Sequence, residues 1–385
     1  MQMLQPTNAL LADLTADHHQ QPQISLYLPT HRHHPENQQD SIRFSNLIKE
    51  LHLLLEGQPD KQVRSLLGPL ETLGRDEAFW NHTLDGLAVF LSPGWMRVVG
   101  FPCTVPKLVV VADSFHTKPL RRLLQSADRY QILGLNQHGI QLYEGNRYSL
   151  AALEPGAGVP NTIEEALGEE LTEPHSTVAS YGGVGHSSSP MHHGHGAKNA
   201  EIDNDADRYF RAVDRSVLEA HSRPSGLPLV LAALPEHHHR FHQVSHNPFL
   251  VPEGIQAHPD SMSMDTLRER AWDIFEPVYH ERLAAWADDF VEARSKGLGL
   301  SDLTEIGAAA AAGRVSTLFI EADRMVVGNI DKAGVLVQVK EEENPQGDDL
   351  LDDLGELVVK HGGQVLVVPA AQMPATTGAT AICRF

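Results

Sequence analysis

The segment 350–385 constrains the fold of this chain more than any other. Leu350, Leu351, Leu354, Leu357 and Val358 recur at helical spacing. Gly362-Gly363 follows, and glycine just past a last turn ends a helix because it takes the left-handed conformation at no steric cost. Residues 365–369 then form a continuous apolar strand closed by Pro369, and a loop over 370–378 leads to a second apolar strand, 379–385. A helix with one apolar stripe, tied by short connections to two strands, must lie flat on their sheet. The chain therefore ends in an α/β layer.

At 385 residues the chain is too long for one core and suits two or three domains. No apolar run reaches the roughly 18 residues needed to span a bilayer, and the start, Met1-Gln2-Met3-Leu4-Gln5, lacks a basic-then-apolar leader pattern. A cytoplasmic protein without membrane contact is the expectation. Cys103 and Cys383 share no metal-ligand spacing and imply no disulfide. The net charge of −20 is unevenly spread. Residues 1–129 carry 12 Lys and Arg against 13 Asp and Glu, residues 130–257 carry 7 against 15, and residues 258–385 carry 11 against 22. Phosphate backbones are bound largely through Lys and Arg. The N-terminal third thus opposes RNA least, while the acidic remainder suits basic proteins.

Pattern divides the chain into three α/β domains, 1–128, 129–257 and 258–385. The first opens with an alternating strand over 24–30, then a polar loop through His31, Arg32 and His33. Phe44, Leu47, Ile48, Leu51, Leu54 and Leu55 predict a helix, 61–73 a second, 86–101 a hairpin and 108–112 a buried strand. The second domain opens with a hairpin, 130–135 and 140–145. A Gly-, Ser-, His- and Glu-rich stretch, 154–196, is longer than an ordinary connection. It precedes a helix with Ile202, Tyr209, Phe210, Val213, Val217 and Leu218 on one face, then a strand over 227–234. The third domain has helices over 266–295 and 303–312, a strand over 316–321 and the C-terminal block.

This order resembles the archaeo-eukaryotic peptide release factors and Pelota, and in particular their bacterial relatives. The likeness spans about residues 130–385. The hairpin 130–145, the loop Met191-His192-His193-Gly194-His195-Gly196-Ala197-Lys198-Asn199 and the helix after it stand where the family's RNase H-like middle domain carries hairpin, Gly-Gly-Gln loop and long helix. Residues 313–320 and the C-terminal block resemble the family's last domain, here a Pelota-like α/β sandwich. The resemblance implies a loop reaching toward the tRNA acceptor end through His193, Gly194, His195, Gly196 and Lys198. It implies the ribosome or tRNA as partner, with a translational GTPase as a possible partner of the last domain. In release factors the Gly-Gly-Gln backbone helps position water against the peptidyl-tRNA ester. Here Gly194 and Gly196 are split by His195, and no glutamine follows. The resemblance therefore implies a non-catalytic, ribosome-associated role in rescue, hibernation or translation quality control, with no catalytic residue and no cofactor. Gly362-Gly363-Gln364 does occur, but between a helix and a strand, where glycine is a capping device.

Histidine supplies the alternative. Twelve of the 23 lie within 130–257. His192, His193 and His195 are candidate ligands for zinc or nickel, which imidazole suits, and would make the chain a metal-dependent hydrolase. Solvated loop residues are the plainer reading. On a strand, neighbours within 237–239 would face opposite ways and could not share one ion. Asp203-Asn204-Asp205-Ala206-Asp207 imitates a calcium loop, but Arg208 stands where glycine is required, and the spacing is helical. The 181–185 glycines neither follow a clear strand nor open a helix, so a phosphate loop is not implied. His31, Arg32 and His33 are a candidate RNA contact, or simply a polar loop. A protein-only binding module is the third reading, suited to the charge.

Overall fold

The computed structural model describes residues 3–16, 19–57, 59–125, 128–136, 139–156, 158–168, 195–331, 334–338 and 348–385, with backbone alone at 60, 195–202, 337 and 338. Two compact units form: an outer one of Met1–Ala127 with Glu281–Phe385, and a middle one of Asp128–His280. Both are α/β, as the sequence implies.

The outer unit begins with α1 (Asn8–Leu14), β1 (Gln23–Pro29), α2 (Asp40–Leu54), α3 (Asp60–Gly74) and α4 (Glu77–Trp80). There follow β2 (Gly86–Ser92), β3 (Trp95–Phe101), β4 (Leu108–Ala112) and α5 (Lys118–Leu124). The sheet order is β3-β2-β1-β4, antiparallel throughout. Alternation sorts the side chains of β1 to two faces. Ile24, Leu26 and Leu28 join Phe44, Leu47, Leu66 and Leu70 of α2 and α3 in one core. Tyr27 points the other way, edge-on to Phe90 and Phe101 at ring distances of 5.8 and 6.0 Å. Each fully buried apolar side chain of this kind contributes roughly 1.5–3 kcal/mol, so β1, covered on both faces, is the mechanical centre of this half.

In the middle unit, β5 (Tyr130–Leu135) pairs antiparallel with β6 (Ile140–Gly145), in the register the sequence predicts, Leu135 opposite Ile140. β7 (Leu150–Leu153) extends the sheet. After α6 (Ile163–Leu167), α7 (His195–Val217) runs through one π turn, Leu218–Ser222, into α8 (Arg223–Ser225). β8 (Leu229–Ala232) then lies parallel to β5, giving the order β7-β6-β5-β8. Parallel pairing demands a crossover, and α7 supplies it. Tyr209, Phe210, Val213 and Val217 are fully buried against Leu133, Leu229 and Leu231. α9 (Pro235–Val244) follows, and α10 (Met264–Ser295) leads from this unit back to the outer one.

The outer unit resumes with β9 (Gly299–Leu300), α11 (Leu303–Ala311), β10 (Val315–Glu321), β11 (Gly328–Ile330) and β12 (Leu336–Gln338). It closes with α12 (Leu350–Lys360), β13 (Gln364–Val368) and β14 (Ala379–Cys383). The sheet order is β13-β10-β14-β9, with β13 parallel and β14 antiparallel to β10. Leu350, Leu351, Leu354 and Val358 of α12 lie against Leu318 and Ile320 of β10 in its core. Gly362, at φ +72°, donates to Val359 O, and Gly363 donates to Val358 O, each at 2.9 Å. This paired bond is the Schellman helix stop, so the Gly-Gly here is a cap and Gln364 only begins β13. Among the described residues no helix is long and apolar enough to cross a membrane.

Candidate functional site

Two sites are built from described residues, one anticipated by the sequence and one not. The first is the loop after β1. Thr30 ends the strand by donating its hydroxyl to Leu84 O at 2.7 Å and its amide to Asp85 O at 3.1 Å. Asp40, wholly buried at the start of α2, accepts the His31 amide at 2.7 Å. Its other oxygen lies 2.9 Å from His31 Nδ1 and accepts from Arg43 at 3.2 Å. Arg32 Nε sits 3.0 Å from both oxygens of Asp85, and its Nη2 donates to Pro102 O. His33 holds the loop shut through its carbonyl, which accepts the Asn37 amide. Thr30, His31, Arg32, His33 and Asp85 line, with Glu36 and others, a recess of about 420 Å³. The loop is thus rigidly posed, and its cations face carboxylates. Arg32 is matched to Asp85, and Arg43 to Asp40, which also holds the His31 ring, so any pull on a phosphate is weaker than the bare His-Arg-His sequence suggests.

The resemblance-derived loop falls differently. His192, His193 and Gly194 lie outside the described residues, as do the glycines at 181–185. His195, Gly196 and Lys198 lie in the first turn of α7, which starts earlier than the apolar periodicity from Ile202 predicts. The imitation calcium loop is helical, with Arg240 bonded to Asp203 at 2.7 Å and Arg208 3.5 Å from Asp205. Among the described residues, no three His, Cys, Asp or Glu side chains converge as a metal site requires. The 237–239 histidines occupy α9, not a strand: His237 and His238 are buried and His239 is exposed. His238 stacks on His242 at a ring distance of 5.3 Å and its Nε2 lies 3.2 Å from Leu231 O. Burial holds both rings below the usual imidazole range. They are neutral packing groups at neutral pH.

The second site joins the two sheets of the outer unit and escaped the sequence reading. The segment after β4 meets the N-terminus of α12. Ser114 donates to Asp353 at 3.0 Å, and the Thr117 amide to Asp352 at 2.6 Å. Lys118 Nζ lies 2.5 Å from Asp349, both side chains almost wholly buried. Asp349 is also the N-cap of α12, accepting the amides of Leu351 and Val326. His116 is fixed between them: its amide donates to Ser25 Oγ, its carbonyl accepts from Tyr27, and its Nδ1 is 3.9 Å from both Asp349 and Asp352. At its far end the segment covers the exposed edge of β13, because the Gln125 amide exchanges both hydrogen bonds with Val367, at 2.9 and 2.8 Å.

Beside this joint opens a cleft of about 730 Å³, lined among others by Asp113, Ser114, Asp331, Asp348, Asp353 and Glu356. Burial, followed by the charges of neighbouring carboxylates, pushes Asp353 up to about 9 and Asp348 up to about 7. Burial also holds His116 below the imidazole range, against the upward pull of Asp352 and Asp349. The arrangement stores protons on acids and keeps an imidazole neutral. The only sequence signal for it was the acidic doublets Asp348-Asp349 and Asp352-Asp353 around an apolar helix.

Residues 129–314 match the model of bacterial archaeo-eukaryotic release factor family 3. Over that span the chain is similar to the bacterial archaeo-eukaryotic release factors. The span takes in the whole middle unit after its first residue, the long α10, α11 and the approach to β10. No curated protein matches the chain. Among solved structures, an archaeal translation termination factor, aRF1, is 15% identical, covering 98% of this chain and 97% of its own, with a TM-score of 0.27. A ribosome-bound archaeal Pelota, described together with ABCE1, is 13% identical over 78% of this chain and 72% of its own, at 0.40. Dom34 of S. cerevisiae, a translation termination-like factor interacting with Hbs1, is 11% identical over 78% and 74%, at 0.37. Superpositions this loose carry no weight here; the release-factor likeness rests on the sequence span.

Proposed function

We propose that this protein occupies a ribosomal site as a release-factor-like binding module and does not itself hydrolyse the peptidyl-tRNA ester. The observation that carries this reading is the family match over 129–314 combined with a loop that lacks the glutamine. Gly194-His195-Gly196-Ala197-Lys198-Asn199 stands where Gly-Gly-Gln is expected. His193, Gly194, His195, Gly196 and Lys198 would face the tRNA acceptor end, and Lys198 would meet phosphate. Rescue of stalled ribosomes, hibernation and translation quality control are the roles such a module can serve. The acidic last third would receive a basic protein partner, with a translational GTPase as the first candidate.

The His31-Arg32-His33 loop is the proposed second RNA contact. Its internal carboxylates make it a shaped recess that recognises geometry, with little net charge to attract RNA at long range. A release assay tests the reading. Ribosomes carrying peptidyl-tRNA should bind the protein and retain the peptide, while joint alanine replacement of His193, Gly194, His195, Gly196 and Lys198 should lower occupancy and leave the fold intact. Rapid peptide release by the wild-type protein would overturn it.

A further inference from the structure

The joint between residues 113–118 and the start of α12 has a composition that ordinary cohesion does not need. Four aspartates, Asp348, Asp349, Asp352 and Asp353, gather around two buried cations, Lys118, paired with Asp349, and Arg121, bonded to Thr117, and a buried imidazole, His116. Lys118 is committed to Asp349 and to Arg324 O. Asp352 is held by the Thr117 amide and hydroxyl. Asp348 and Asp353 are left to face the cleft, where Asp113, Asp331 and Glu356 add negative charge and Lys360, His361 and His19 stand on the lining. From the other side, Arg121 donates to Thr117 and so braces the same segment.

We propose that this joint is a latch set by protonation: it stays closed while Asp348 and Asp353 carry protons and loosens when both ionise. The geometry gives the reason. Ser114 hydroxyl donates to Asp353, and the Asp349 amide donates to Asp348 at 3.0 Å, bonds that a neutral acid also accepts. A third and fourth negative charge beside Asp349 and Asp352 would face the Lys118 ammonium, which is already paired with Asp349, and Arg121, which is bonded to Thr117. Opening lets water into the cluster and relieves that repulsion.

The sign follows from linkage. The closed joint binds these protons more tightly than a hydrated, open one, so closure weakens as pH rises, by up to about tenfold per proton per pH unit. The window runs from the ordinary carboxylate range up to about 7 for Asp348 and about 9 for Asp353. Burial holds His116 below the ordinary imidazole range against the pull of Asp352 and Asp349, so its charge is not what changes at the upper end of that window. The outer unit would therefore be tighter at mildly acid pH and looser at alkaline pH. This inference is independent of ribosome binding.

Hydrogen exchange on the full chain between pH 6 and 9 tests it, with intrinsic base catalysis divided out. The reporters are the amides of Thr117, Val326 and Leu351, each of which donates to an aspartate of the joint. Their opening should increase at least tenfold from pH 6 to 9, while β1–β2 amides hold steady. Asp348→Asn with Asp353→Asn, which fixes the neutral form in the same shape, should remove that increase. Asp353→Asn alone should remove the part above about pH 7, where Asp348 is already ionised, and it serves where the double variant does not fold. Equal opening at pH 6 and 9, or an undiminished rise in either variant, would overturn the latch.

Discussion

Replacing Lys118 by methionine is the sharpest test of how the outer unit is held together. The substitution keeps most of the aliphatic volume and removes one charge. In the wild-type chain Lys118 is 5% exposed and Asp349 not at all. Without the ammonium, Asp349 Oδ2 is a buried carboxylate with no cation, among Asp348, Asp352 and Asp353. Its Oδ1 still accepts the Val326 and Leu351 amides, so the helix cap survives and the loss is electrostatic. Breaking one partner of a buried ion pair costs about 3–5 kcal/mol. Urea denaturation, with exchange protection of the β1–β2 amides marking the outer unit, should show a loss of that size. Lys118→Met with Asp349→Asn should recover part of it, because the stranded charge is gone. Lys296→Met, which breaks an exposed pair with Glu292, serves as the control and should change little. A loss below about 1 kcal/mol for Lys118→Met, the scale of an exposed pair, would refute the reasoning.

Further outcomes follow from the middle unit and the C-terminal cap. His238 and His242 have lowered values in the folded chain, so the unfolded chain takes up protons first as pH falls below 6.5. Stability of the middle unit should therefore drop as pH falls from 6.5 downward, and His242→Leu should flatten that slope in thermal unfolding. Gly362→Ala should cost roughly 1–2 kcal/mol because its φ is +72°. At Gly363 a Cβ would stand 2.5 Å from Val358 Cγ1 and 2.8 Å from Val315 O. Gly363→Ala should cost about 1–3 kcal/mol from overpacking, whereas Gln364→Ala, at an exposed strand start, should be silent in the same denaturation series.

Local structure was legible where one physical signal dominated. The 130–145 hairpin, the α12 stripe and its glycine stop were read from residues alone, because alternation, helical spacing and positive φ each act within a few positions. Pairing was less legible. The sequence makes β13 and β14 consecutive, yet β10 lies between them, since a parallel partner for β13 must come from a distant strand. α9 went unread because its buried face mixes His237 and His238 with Phe241 and Val244, which is no apolar stripe. The joint was invisible for a simpler reason: Thr117 and Asp352 are 235 residues apart, and neither forms part of a motif. In the candidate RNA loop, the residues His31, Arg32 and His33 were visible. The carboxylates that meet His31 and Arg32 were not, because Asp40 and Asp85 meet them only through the turn after β1.

The most direct test of the central claim is co-sedimentation of the purified chain with bacterial 70S ribosomes, empty and tRNA-loaded, across a salt series. The release-factor-like reading predicts binding that survives moderate salt, since shape in the loops and not bulk charge must hold an acidic protein on RNA. Binding should weaken when His193, Gly194, His195, Gly196 and Lys198 are replaced by alanine. Absence of the protein from the ribosome fraction at every salt concentration, in both ribosome states, would contradict it.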